Sequence, residues 1–174
     1  MKLFGPLAKA VALVGLVLGL GVFPALAGQR EIDALAAYVG DWRGKGTMSG
    51  ANTETVVCRM GLKPGNAGKL NYSGRCSVAG SVLSVNGTIA YVDANNRYEA
   101  AMTTNVGFSG MATGRLRGDD IVFDLKERNK DSEGNDMSVA TSITLSGGAM
   151  SVDFKVTFVS TGESIVAKIP FAKS

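Results

Sequence analysis

The chain contains no histidine. That single absence removes the commonest general base, metal ligand and triad member together. There is no G-x-S-x-G elbow and no S-x-x-K pair, so a serine nucleophile has no visible setting. The stretch GKGTMSG places glycines near a lysine, but neither its spacing nor its strand-like context suits a phosphate loop. NKDSEGND, residues 129–136, is rich in acids without the EF-hand order, and it reads as a solvated hairpin loop rather than a calcium site. Asp119 and Asp120 read as a turn, since paired-carboxylate hydrolysis needs a partner that the sequence does not identify. No enzymatic activity, catalytic residue, metal or cofactor is expected.

Cysteine is nearly absent too, with only Cys58 and Cys76. Two thiols without histidine make a poor zinc site, and their separation excludes a C-x-x-C redox pair. A structural disulfide is the expectation, provided that the chain is exported to an oxidising compartment. The N-terminus supplies that provision. Lys2 and Lys9 precede the apolar run AVALVGLVLGLGVF, Pro24 follows it, and ALA before Gly28 has the form of a signal-peptidase site. The run is nearly long enough to span a bilayer as an uncleaved anchor, but the proline and the small residues favour cleavage. Residues 1–27 are therefore expected to be a cleaved signal peptide, leaving residues 28–174 as one domain, periplasmic or secreted, with no transmembrane anchor.

Cleavage also changes the charge. Two of the 18 basic residues leave with the signal, so 16 face 15 acids and the net charge is +1. No run of basic residues remains to suggest nucleic acid or an anionic membrane surface. Asn71 and Asn86 stand in N-x-[ST] sequons, relevant where exported proteins are glycosylated.

Gln29–Val39 carries Ile32, Leu35, Ala36 and Val39 at helical spacing and predicts a short helix. Beyond it only short alternating runs occur. In AMSVDFKVTFVS, Val152, Phe154, Val156 and Phe158 share a face opposite Ser151, Asp153, Lys155 and Thr157. Ile121, Phe123 and Leu125 alternate in the same way, as do Val139, Thr141, Ile143 and Leu145, and again Ile165, Ala167, Ile169 and Phe171. Pro170 cannot donate a ladder hydrogen bond, so the last run is expected to end there or to bulge. About ten such runs fit between Asp41 and Phe171, joined by glycine- and asparagine-rich turns.

The cysteines test this register. If ETVVCRMGLK and KLNYSGRCSV form a hairpin, opposing Cys58 to Cys76 centres it on Ala67, inside the turn Pro64–Gly68. Met60 then faces Gly74, Leu62 faces Tyr72, and all lie on the apolar face with the sulfurs. A directly opposed pair is close enough to bond. Sequential hairpins over one apolar face remove their edges by closing, so the expected fold is an all-β, up-and-down antiparallel barrel of about ten strands, with a β-sandwich as the alternative.

The stretch YVGDWRGKGTMS contains the only tryptophan. Trp42, Gly44, Gly46 and Met48 share the inward face, so Trp42 is expected to plug a barrel floor, with the glycines leaving room for the indole, for neighbouring backbone or for a ligand. YVGDW resembles the glycine-x-tryptophan opening of calycin barrels, the lipocalins and fatty-acid-binding proteins. The pattern Gly40, Trp42, Gly44, Gly46 is similar to the opening of nitrobindin-like barrels, which are ten-stranded and bind haem. The whole chain also resembles a group of exported bacterial proteins that combine this opening with a cysteine pair. The lipocalin likeness implies a basic residue from the last strand over the tryptophan. Lys168 is the nearest in sequence, but its alternation points it outward. The nitrobindin likeness implies an axial histidine, which this chain lacks.

A ten-stranded barrel encloses more volume than an eight-stranded one. The inward set Met60, Tyr72, Tyr91, Tyr98, Met102, Phe154 and Phe158, together with Trp42, therefore reads as the lining for a small apolar or lipid-like ligand, or else as a dry core. A carrier or sensor follows from the first reading. The second leaves a ligand-free envelope interaction module or inhibitor, whose protein partner the sequence does not name. Arg115 would face a ligand only if Met111 pointed inward. Leu116 fits the apolar face better, which places Arg115 and Arg117 in solvent.

Overall fold

A computed structural model describes residues 28–131 and 133–174; the expected signal segment, residues 1–27, lies outside them. The alternating runs form ten strands: β1 (Gly40–Ser49), β2 (Thr53–Pro64), β3 (Leu70–Val78), β4 (Ser81–Val92), β5 (Arg97–Thr104), β6 (Ser109–Arg117), β7 (Asp120–Lys130), β8 (Asp136–Ser146), β9 (Ala149–Phe158) and β10 (Ser164–Lys173). Each pairs antiparallel with its sequence neighbours, and β10 closes on β1. The barrel is up-and-down, not a sandwich, because closure satisfies both edges at once.

Apolar side chains point inward and polar ones outward, as in Val152, Phe154 and Val156 against Ser151, Asp153 and Lys155 on β9. A membrane-spanning barrel has the reverse arrangement. Among the described residues no helix is long and apolar enough to cross a membrane.

The β2–β3 hairpin has the register that the cysteines demand: Cys58 opposes Cys76, Met60 opposes Gly74 and Leu62 opposes Tyr72. The disulfide joins Cα atoms 4.0 Å apart. Ala67 sits in the turn at φ 54°.

Pro170 neither ends nor bulges its strand, contrary to expectation. It pairs with Ser151 on β9, and β10 runs on to Lys173. Towards β1 the ladder breaks between Gly44↔Phe171 and Thr47↔Lys168 and resumes in the same register. The proline, having no N–H, falls inside that break. Gly46 lies in the same break, and a Cβ there would come within 2.0 Å of the Lys168 carbonyl oxygen. The obstacle is backbone, so leucine at position 46 does not fit whether or not a cavity lies above it. Gly44 instead makes room for the Phe171 ring, 2.7 Å from where its Cβ would stand.

The N-terminal helix, α1 (Gln29–Ala36), is shorter than the periodicity predicts. Tyr38 and Val39 donate to Leu35 and Ala36 in tight turns, and Gly40 at φ 140° redirects the chain into β1. The helix caps the barrel end at which β1 starts. Leu35 is fully buried, and Ile32 packs at Gly68 in the β2–β3 turn.

Candidate functional site

Trp42 is the floor. Its ring is 1% exposed, its Nε1 donates to the Tyr38 carbonyl at 3.0 Å, and the Tyr38 ring stacks on it at 6.1 Å. The basic residue over the indole is Lys173, with its ammonium 5.7 Å from the ring centroid and donating to the Ala37 carbonyl at 3.3 Å. Lys168 points outward beside Asp153. Alternation excluded Lys168, but only closure of β10 on β1 brings Lys173 across the floor.

The lower half of the barrel is packed with rings. Tyr98 meets Tyr91 edge-on at 5.1 Å and Phe123 at 6.0 Å. Above them the inward residues become smaller and softer, and ten strands enclose more than they fill. The result is a cavity of about 390 Å³ whose lining reaches the barrel end opposite the helix, where Leu83 and Val106 are exposed and form its mouth. Of the expected ligand contacts, Met60, Tyr72, Met102 and Phe154 line it. Trp42, Tyr91 and Tyr98 do not, because they lie in the floor beneath it, and Phe158 stands at the end of β9 outside the lining. The period-2 pattern gave the face of each of these residues but not its height in the barrel. Met48, Met137 and Met150 line the cavity as well and were legible only as inward residues.

The lining is almost wholly hydrocarbon and sulfur. Its polar atoms are largely engaged. The Tyr72 hydroxyl reaches across Gly87 to donate to the Ala101 carbonyl at 3.0 Å. The Thr104 hydroxyl donates to the Phe108 carbonyl and accepts from the Phe108 N–H, both at 3.1 Å. Thr141 supplies the remaining hydroxyl, and among the described residues no charged side chain lines the space. Arg115 and Arg117 are exposed on the face opposite the buried Ala112 and Gly114, while Leu116, on the inward face at the end of β6, is itself 41% exposed. An outer depression of about 470 Å³ over β7–β10 and β1 is broad and open, ringed by Lys126, Lys155 and Lys168 together with Asp124 and Asp153, the last 4.0 Å from Lys168.

Haem, which the nitrobindin likeness implies, does not fit these residues. Histidine is absent from the chain, and the Tyr72 phenol is committed to Ala101. Methionine serves haem chiefly alongside histidine, and among the described residues no basic side chain lines the cavity to meet propionates.

Burial pushes the phenols of Tyr72 and Tyr98 up to about 12 from 10.0, and those of Tyr38 and Tyr91 upward as well. The Tyr98 oxygen is buried without a hydrogen-bond partner. Because folding favours the protonated phenols, their contribution to stability is complete below pH 10 and is lost as pH rises towards 12. Ultraviolet titration of the folded protein should show phenolate appearing well above the ordinary range, with denaturation midpoints falling over the same interval. Four phenols that titrate at the ordinary value while the protein stays folded would contradict this packing.

No family model matches the chain, and no curated protein sequence matches it. Solved structures do. A crystal structure of Rv2717c from M. tuberculosis superposes with a TM-score of 0.66 at 13% identity, over 82% of this chain and 96% of that one. A de novo designed fluorescence-activating β-barrel covers 82% of this chain and 98% of its own at 14% identity, but its TM-score of 0.42 is too low to carry an argument. At these identities the likeness to Rv2717c shows the fold alone: a ten-stranded antiparallel barrel.

Proposed function

We propose that this protein is an exported calycin-like barrel, similar in plan to nitrobindin-like barrels, that carries or senses a small, neutral, apolar or lipid-like molecule in its interior. The observation that supports this most is the 390 Å³ cavity, open at one end and lined by methionine, valine and aromatic carbon. Methionine thioethers adapt to ligand shape, which suits a flexible or planar hydrocarbon. A charged group would be desolvated there without a partner, so any polar head stays at the mouth. The disulfide fits an oxidising compartment and supports a periplasmic or secreted location. No catalytic role is assigned.

Titration with a neutral dye such as Nile red should give saturable, one-to-one fluorescence enhancement. Ala100 lines the cavity, and Ala100→Leu should leave the fold intact while weakening dye binding by roughly tenfold or more. Native mass spectrometry of protein purified from its own compartment should show a bound lipid-like species. Failure of wild-type protein to bind any neutral apolar probe would favour a ligand-free interaction module instead.

A further inference from the structure

The barrel assembles a basic surface that no segment of the sequence contains. Arg43 on β1 opposes Arg59 on β2, which opposes Arg75 on β3. All three point outward and are exposed. Neighbouring strands are about 4.8 Å apart, so the backbones of the three arginines lie side by side within roughly 10 Å. The row ends at Ala172 on one side and Ser84 on the other, and no ion pair among the described residues involves any of the three. Like charges directly opposed across strands destabilise a sheet, so folding alone gives no reason for the row.

One pleat nearer the mouth, the next outward row is Lys45, Val57, Ser77 and Val82. Val57 is 48% exposed and Val82 51%. The β5–β6 loop lies against this corner, with the Asn105 side chain donating to the Val82 carbonyl at 3.0 Å, and it presents Val106 at 69% exposure. These two rows hold four cations and no acid. The nearest acid on the same face is Asp41, one row farther from the mouth.

The geometry points to this flank, β1–β4 with the β5–β6 loop, as a docking surface for an anionic lipid bilayer. Val57, Val82 and Val106 enter the interface, with Lys45 beside them in the same row, and Arg43, Arg59 and Arg75 meet the phosphates behind them. A soluble polyanion accounts for the cations but leaves the exposed valines without a role. Leu83 and Val106 belong both to this flank and to the cavity mouth, so docking turns the mouth towards the bilayer. That exchange of cargo with lipid rests on the apolar-ligand reading, whereas the docking surface itself does not.

Co-sedimentation of residues 28–174 with phosphatidylcholine vesicles, with and without phosphatidylglycerol, tests the surface. Binding should require phosphatidylglycerol and weaken at high salt. Arg43→Ser/Arg59→Ser/Arg75→Ser should lower vesicle partitioning on the order of 100-fold at low salt, and Val82→Asp/Val106→Asp should also reduce it. The triple variant relieves like-charge contacts, and its denaturation midpoint should not fall. Equal partitioning with and without phosphatidylglycerol, an unchanged triple variant, or binding to heparin that vesicles do not match would each overturn the proposal. Nile red uptake in the same variants separates the two readings: docking without dye binding sinks the cargo, and dye binding without docking sinks the surface.

Discussion

Trp42→Ala is expected to lower the stability of the barrel by about 3–5 kcal/mol, the range for truncating a large buried aromatic. The indole is 1% exposed and makes three contacts with two separate parts of the chain, the turn before β1 and the end of β10. Its N–H holds the Tyr38 carbonyl, its face carries the Lys173 ammonium, and its ring stacks on Tyr38. Truncation opens the floor, strands the Tyr38 carbonyl and loosens the seam where β10 meets β1. Urea denaturation followed by far-ultraviolet circular dichroism measures the loss. Wild-type fluorescence provides an independent check, because a buried indole emits at short wavelength and resists quenching by iodide. Red-shifted, freely quenched emission would mean that Trp42 is not the floor.

Removing the disulfide by Cys58→Ala/Cys76→Ala is expected to cost about 3 kcal/mol in the chain-entropy account, because the bond closes a loop across a separation of 18 residues. Both cysteines point inward, and Cys58 is buried. The native hairpin register does not depend on the bond alone, since Leu62↔Tyr72 and Met60↔Gly74 place apolar groups on the same face. The variant should therefore fold to the same barrel with a lower denaturation midpoint and an unchanged far-ultraviolet spectrum. Reductant should shift wild-type protein towards the variant and leave the variant where it is. Coincident midpoints for the wild type and the variant would show that the bond adds nothing to stability.

Much of the architecture is legible in the sequence. Strict alternation such as Val152, Phe154 and Val156 against Asp153 and Lys155 states which residues face the core, because side chains along a strand have a period of two. The cysteine pair fixed one register, since a disulfide tolerates little choice of partner position. Sequential turns and a single apolar face left closure as the way to satisfy the edges. Trp42 could be placed at the floor because it opens the first strand.

Closure and stagger decided the rest. Alternation assigns a face but no height, so Tyr98 and Met102 looked equivalent, although one lies under the cavity and the other lines it. The open volume exists because ten strands set a circumference that the smaller side chains of the upper half do not fill, a property of the whole ring and of no segment in it. Gly46 by itself reads as room for the indole, for neighbouring backbone or for a ligand, and only β10 brought alongside selects backbone, because its Lys168 carbonyl occupies the space. Arg43, Arg59 and Arg75 are isolated charges in the sequence, one on each of three strands, and only the interstrand register lays them side by side. Face and hairpin register are local and can be read along the chain, whereas cavities and cross-strand charge rows arise from neighbours that only the closed sheet brings together.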